Sequence, residues 1–465
     1  MIATSLFQKG ALLQRAFHSP DRLVIGNAPL VGVLDLPATY HHPPLRLFFP
    51  ASSIPTTPSW RKPKPATYFR DNRVAYVLEG MAHTMGLRNT TKMFKYVVRP
   101  ILFIFSLFFP VRFLRIPYSA RVPNDPTHYE KSRSVEYVPP SSLQPEESET
   151  RENQTLVLFS HGLTGTGEEN SIFCASLAKR GYVVACLHHC DGSSSRVTLP
   201  DGTCRFYEHM PSGDDYDPRH RMEQVHIRAR ELLNTRKWLL NRGNEPDSTC
   251  DNHPILKQIC PYLDPRRVIA SGFSYGSTTC ALAATLEPSA FQCAVMLDGW
   301  FHVDYTSQGV EYDFPPEAFG DVWPKKREKD ARSQKDGVST MNRNNGSREE
   351  CNKRSCLNIP CVFINSEQFH GYKKLYRATV RLADQLNNSL CDNAEKKSNF
   401  NGNPIPRSKL HVIANTKHQN FCDVVFWLPK LATRRVGRFL ALGSADGLEA
   451  QERIINFTIE FLNHF

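Results

Sequence analysis

The pentapeptide Gly272-Phe273-Ser274-Tyr275-Gly276 sets one serine between two glycines, after the apolar run Val268-Ile269-Ala270 and before a stretch of small residues from Ser277 to Ala284. A serine hydroxyl is a weak nucleophile until a base takes its proton. A sharp bend between a strand and a helix makes such a hydroxyl accessible, and the glycines omit side chains where the two elements crowd together. The chemistry implied is attack on an ester carbonyl. It needs a base and an oriented carboxylate, supplied in this context in the order serine, acid, histidine, each just past the end of a strand. Asp298 directly follows "CAVML" and is the candidate acid; Asp304, six residues on, is the competitor. His418 lies in "TKHQNF", beyond the strand-like "KLHVIA", whereas His411 falls inside that strand and reads as packed. His418 would accept the Ser274 proton and return it to the leaving alcohol, with Asp298 steadying the imidazolium. Two backbone N–H groups must face the oxyanion. The candidates are Tyr275, after the nucleophile, and Leu163 in "LFSHGLTGTGEEN", where His161 either shapes the loop or is structural.

The elements required to hold these residues are legible. "TLVLFS" reads as a buried strand, and "YVVACLH", "RVIASG", "CAVML", "CVFIN" and "KLHVIA" read as further strands. Between or after them, "SIFCASLAKR", residues 219–242, "STTCALAATL", "KKLYRATVRLADQL" and residues 448–464 read as helices. Apolar strands alternating with helices imply a mostly parallel sheet covered on both faces. Together with the serine bend they predict an α/β-hydrolase fold over residues 30–465. Residues 1–29 are expected to be an extension, disordered or targeting. Residues 325–357 and 387–406 are expected to be polar surface insertions.

The run Pro100–Val111, "PILFIFSLFFPV", is too short to span a bilayer comfortably, which takes about 20 apolar residues. Either it is a core helix or it lies in a membrane interface, with Ile101, Leu102, Phe103, Phe105, Leu107, Phe108 and Phe109 entering the headgroup boundary and Lys92, Lys95, Arg99, Arg112 and Arg115 meeting anionic lipid. The formal net charge of +11 suits such a surface, and no nucleic-acid-binding signature accompanies it. The 13 cysteines are odd in number and often sit in apolar runs, which favours reduced, packed thiols over a disulfide framework. His188, His189 and Cys190 are adjacent, but neighbours on a strand point to opposite faces, so no metal site and no cofactor is expected. N-x-S/T triplets at Asn89, Asn153, Asn345, Asn387 and Asn456 matter only if the chain is secreted.

At these residues the chain resembles the platelet-activating factor acetylhydrolase family, the group VII phospholipases A2. "FSHGLTGTGEEN", "LAKRGYVVACLHHCDGSS", "RMEQVHIRARE", "MLDGW", "FINSEQF" and "HQNFCDVVF" are similar to successive family blocks, and "VGVLDL…LRLFFP" to its N-terminal strands. The resemblance implies Ser274, Asp298 and His418 as triad and Leu163 and Tyr275 as oxyanion donors. It also implies calcium-independent release of acetyl, short or oxidised acyl chains from the sn-2 position of phospholipids. The segment 90–116 falls where the family has a membrane-contacting helix. The elbow departs from the family in having Phe273 and Tyr275 where His and Phe are common. The expected partners are a phospholipid substrate and a membrane surface, for a monomer held peripherally on a cytoplasmic membrane, with a secreted or organellar location as alternative. Rival readings are a phospholipase A1, lysophospholipase or general carboxylesterase, a non-catalytic membrane-binding module, and a peptidase.

Overall fold

In a computed structural model, residues 19–54, 63–70, 73–87, 91–108, 111, 114–132, 134–143, 153–210, 219–241, 253–305, 310–321, 356–392, 407–427, 437 and 441–465 are described. The strands run in chain order β1 (Leu30–Leu36), β2 (Leu45–Ser53), β3 (Ser119–Val122), β4 (Val135–Tyr137), β5 (Gln154–Ser160) and β6 (Val183–Leu187). A small hairpin of β7 (Arg196–Thr198) and β8 (Cys204–Phe206) follows, then β9 (Leu263–Phe273) and β10 (Cys293–Leu297). A second hairpin, β11 (His302–Tyr305) and β12 (Val310–Asp313), precedes β13 (Cys361–Ser366) and β14 (Lys409–Ile413). The main sheet has the order β14-β13-β10-β9-β5-β6-β2-β1-β3, with β4 alongside β2. From β14 to β6 every pairing is parallel; β2 is antiparallel to both β6 and β1.

The strands β5, β6, β10 and β13 are buried at every position because both faces of the sheet are covered. Leu156 and Leu158 of β5 pack into one core layer, with the helices Arg219–Asn241, Tyr275–Leu286 and Lys373–Asp392. Val157 and Phe159 pack into the other, with the helices Ser171–Lys179 and Gly447–Leu462. Successive side chains on a strand point to opposite faces, so alternation appears as two cores rather than as an apolar and a polar side. This mostly parallel sheet between two helical layers is the α/β-hydrolase fold expected from the strand–helix alternation.

Four boundaries differ from the sequence expectation. The supposed extension 1–29 is ordered against the body from residue 19: Leu23, Val24 and Ala28 are buried, and Lys179 Nζ donates to the carbonyls of Ala28 and Pro29; residues 1–18 lie outside the described residues. The helix Lys373–Asp392 continues six residues into the supposed insertion 387–406. Asn387 Nδ2 donates to Ser408 O (3.3 Å) and its Oδ1 accepts from Ser408 N–H (2.8 Å), so a residue with loop-like chemistry ties helix to strand. Leu357, placed in the other insertion, is fully buried and donates its N–H to Ala318 O. Residues 325–355 and 393–406 lie outside the described residues.

The fourth difference concerns the apolar run 100–111. The segment 90–116 is not one helix. Residues 94–98 form a π-helical turn, the α-helix is Arg99–Phe108, and Val111 and Ile116 at the far end are core. The helix itself is not buried. Ile101, Phe103, Phe105 and Leu107 are exposed, as is Ile104, which the sequence reading omitted; Phe103 is 56% exposed. Leu102 is half-buried, Ser106 faces inward and back-bonds to Phe103 O, and Phe109 lies outside the described residues. Among the described residues no helix is long and apolar enough to cross a membrane. Leu158→Ala, in the sheet centre, should cost about 3 kcal/mol of stability, against less than about 0.5 kcal/mol for Phe103→Ala; urea unfolding of both variants reads the difference.

Candidate active site

The site lies at the carboxyl ends of four adjacent strands. β9 runs into Ser274, and the helix Tyr275–Leu286 starts at the next residue. Ser274 has φ 55° and ψ −120°, a region that side chains other than glycine rarely occupy. The bend is held from both sides, by Ser274 N–H donating to Leu297 O (2.8 Å) and Trp300 N–H to Ser274 O (3.2 Å). A Cβ on Gly272 would collide with the backbone of Gly276, and one on Gly276 with the backbone of Ser160. Both glycines are therefore required by the close approach of strand, helix and neighbouring strand.

Asp298 follows β10 and also has a positive φ, 46°. It is fully buried. Its Oδ1 accepts the Ser366 N–H (2.7 Å), and its Oδ2 accepts the Ser366 hydroxyl (2.9 Å) and His418 Nδ1–H (2.6 Å). Ser366 ends β13, the strand next to β10, and also caps the short helix Glu367–Gly371. His418 follows β14, and Ser274 Oγ donates to its Nε2 at 3.0 Å. The structure thus brings the three expected side chains into one chain of hydrogen bonds. Asp304 does not join it: it sits on β11 and pairs with Lys374 at 2.9 Å. His411, as expected, is packed, its ring stacked on Phe457.

Three contributors were not read from the sequence. Ser366 lies in "FINSEQF", and it makes two of the three hydrogen bonds that Asp298 accepts. Phe369, in the same motif, stacks on the His418 imidazole (centroids 4.4 Å apart, planes at 7°), and Phe273 stacks on it as well (4.7 Å, 27°). Two rings that close and that nearly parallel cannot share one face, so the imidazole is enclosed above and below. Phe273, the departure from the family's usual residue, is therefore one wall of the base. The third contributor is Arg228, fully buried beneath the Leu163 loop. It donates to His161 O and to Ser160 Oγ, and lies over the Tyr275 ring.

Ser160 belongs to a second serine–histidine–acid row: Ser160 Oγ lies 2.8 Å from His189 Nε2, and His189 Nδ1 lies 2.7 Å from Glu231. Ser160 and His189 are wholly buried, so no substrate reaches them. Burial also holds His161 and His189 well below the ordinary histidine range and pushes His188 down to about 4. These imidazoles are neutral: His189 bridges Ser160 and Glu231, and His161 bonds its neighbour's carbonyl, Gly162 O. His188 borders a cavity apart from the catalytic cleft, with Arg70 and Glu168.

Leu163 and Ser274 line the same cleft, and a Cβ on Gly162 would press within 3.3 Å of the Ser274 Cβ. Among the described residues no hydrogen bond is donated by the N–H of Leu163 or of Tyr275, which leaves both available to an incoming oxygen. The cleft has a volume of about 850 Å³, within the range of small-molecule sites. Leu163, Phe273, Trp300 and Phe369 give it apolar walls; His302, Asp304 and Lys374 lie at its polar side. Among the described residues no cluster of three or more His, Cys, Asp or Glu side chains is arranged to hold a metal.

Glu169 lines the cleft behind the loop and accepts the Gly162 N–H (3.1 Å). Burial pushes its carboxyl up to about 8, from an ordinary 4.5. The folded chain then holds a proton there that the unfolded chain releases. The resulting stabilisation is whole below about pH 4.5 and is lost as pH rises through 8. Glu169→Gln, which cannot ionise, should flatten the fall in melting temperature between pH 6 and pH 9; thermal melts of both proteins across about that interval measure it.

Residues 138–309 match the family described as platelet-activating factor acetylhydrolase, isoform II. That segment holds Ser274 and Asp298, while His418 lies beyond it. The platelet-activating factor acetylhydrolase of Canis lupus familiaris is 28% identical over 162 residues, covering 32% of this chain and 36% of that protein. The Bos taurus protein of the same name is 26% identical over 162 residues, with the same shares. The match thus spans about a third of the length of these relatives. Among solved structures, a ferulic acid esterase from Streptomyces cinnamoneus aligns with 94% of this chain and 89% of its own at 15% identity and a TM-score of 0.47. A dienelactone hydrolase from Anabaena variabilis aligns with 67% and 87% at 13% identity and a TM-score of 0.32. Likenesses this distant carry no weight for function. Residues 138–309 are thus similar to the platelet-activating factor acetylhydrolase family, in a chain built on an α/β-hydrolase fold.

Proposed function

We propose that the chain is a serine esterase that hydrolyses the sn-2 ester of phospholipids bearing acetyl or short or oxidised acyl chains. The observation that carries this reading is the contact of Ser274 Oγ with His418 Nε2, itself held by Asp298, at the wall of an open cleft. His418 takes the Ser274 proton as Oγ attacks the ester carbonyl. The oxyanion turns to the N–H groups of Leu163 and Tyr275. Collapse of the tetrahedral intermediate expels the lysophospholipid alcohol, which takes the proton from His418, and water then releases the acyl group by the same route. The imidazolium forms between two aromatic faces and beside a buried carboxylate, both of which favour its charge. Calcium independence comes from the family resemblance alone. The exposed helix Arg99–Phe108 supports action at a membrane surface, since a surface of this kind is costly to leave in water. Cys174, Cys186, Cys280, Cys293 and Cys361 are buried in the two cores as thiols, which supports a reducing compartment and hence a cytoplasmic membrane face.

Ser274→Ala should lower turnover of a short-chain ester by at least about 10⁴-fold and abolish labelling by a fluorophosphonate probe, with an unchanged melting temperature. Near-parental turnover in that variant would overturn the assignment. Product analysis on a defined phosphatidylcholine decides position: release of the sn-1 chain would support a phospholipase A1 instead. For the membrane reading, Phe103→Glu with Leu107→Glu should reduce partition onto phosphatidylcholine vesicles by more than about tenfold without lowering the melting temperature. A joint loss of vesicle binding and stability would show that the helix belongs to the core.

A further inference from the structure

A groove of about 520 Å³ runs between the helices Val74–Thr84 and Arg99–Phe108. Its lining is divided. One part carries four cations, Arg73, Lys95, Arg99 and Arg196, against a single carboxylate, Glu79. The other part is apolar, with Pro100, Phe103 and Leu107 recurring at helical spacing on the exposed helix. From this division we infer that the groove binds the phosphate of an anionic membrane phospholipid, whose chain continues along the apolar side. The inference rests on the membrane-facing reading of the helix Arg99–Phe108 and adds to it a choice of lipid.

The charges exclude a zwitterionic preference. Glu79 is already shared: Arg99 Nε donates to its Oε1 at 2.8 Å and Arg196 Nη1 to its Oε2 at 2.6 Å. The lining therefore keeps an excess of positive charge, and its one acid is engaged. An aromatic face could hold a choline, and Tyr76 lines the groove, but the Arg196 guanidinium covers that ring at 4.0 Å. A phosphatidylcholine would gain phosphate contacts and leave its ammonium among cations. Phosphatidic acid has no ammonium, and in phosphatidylserine the added carboxylate offsets the ammonium and leaves a net negative charge for the same cations. The geometry also fits a bilayer, because exposed Lys92, Lys95 and Arg99 flank the exposed apolar residues as lipid phosphates flank their chains.

The test is partition of the full chain onto phosphatidylcholine vesicles with and without about 20 mol% phosphatidylserine, at low and high salt. The parental protein is expected to bind the anionic vesicles at least about tenfold more tightly at low salt, with the gain shrinking as salt rises. Each cation contributes about fivefold, so Lys95→Gln should remove about that much of the gain and Lys95→Gln with Arg99→Gln most or all of it. Affinity for pure phosphatidylcholine should stay at the parental value. Lys95→Gln alone leaves both Glu79 bonds in place, so it separates lost charge from a disturbed fold, and melting temperatures check the double variant. Equal losses on both vesicle types, or an anionic gain that survives both substitutions, would overturn the inference. Displacement from the anionic vesicles by millimolar glycerol 3-phosphate would overturn it as well, by showing a site for a free phosphate. If the parental protein bound neither vesicle, the membrane reading itself would fall. If it bound phosphatidylcholine and gained nothing from phosphatidylserine, only the present inference would.

Discussion

One backbone constraint organises this molecule. A serine must stand at φ 55° on the bend between β9 and its helix, in a conformation its own side chain disfavours. Such a residue persists only when its surroundings over-determine it. Here the adjacent strand supplies one hydrogen bond to the bend, the residue after Gly299 supplies another, and two glycines allow three backbones to meet. Asp298, also at positive φ, ends the adjacent strand β10, and its N–H is held by Ile364 O of β13. The nucleophile and its acid thus share a bonded frame made by the parallel sheet. The base then completes the row from the strand beyond, β14.

Polar groups beneath the site do comparable work without reaching the cleft. Arg228 is buried, and its two terminal nitrogens donate to Ser193 Oγ, Ser160 Oγ and His161 O, so the loop carrying Leu163 is anchored through a charge-assisted hydrogen bond. Arg228 lies on the helix Arg219–Asn241, and His189 with Glu231 ties Ser160 to the same helix about one turn on. A buried cation of this kind would be costly unpaired, which makes the loop's position a condition of folding rather than a flexible preference. The same economy holds at His418. Its two ring nitrogens are fixed by Asp298 and Ser274, and its two faces by Phe273 and Phe369, so little freedom is left to the imidazole.

Much of this was legible in the sequence, for identifiable reasons. Ser274, Asp298 and His418 could be chosen because each follows a strand, buried for β9 and β10 and at the sheet edge for β14, and a parallel sheet brings all such ends to one side. The strands were plain because burial on both faces writes a continuous apolar run. Ser366 and Phe369 were not legible as site residues: a serine ending a strand and a phenylalanine in a five-residue helix look like structure, and only the pairing of β13 with β10 brings them to the acid and base. Asn387 misled for the opposite reason, since its loop-like chemistry conceals a bond to Ser408. For the apolar run at 100–111, composition could not separate a core helix from an exposed one. The answer lay in what the rest of the chain leaves uncovered.

The central claim is that the bend aims one hydroxyl at a carbonyl whose oxygen faces two backbone N–H groups. A crystal structure of the chain after reaction with an organophosphate tests it most directly. The account predicts a phosphorus atom bonded to Ser274 Oγ, with its oxygen about 3 Å from the nitrogens of both Leu163 and Tyr275. An adduct on another side chain, or one on Ser274 whose oxygen points away from both nitrogens, would contradict it.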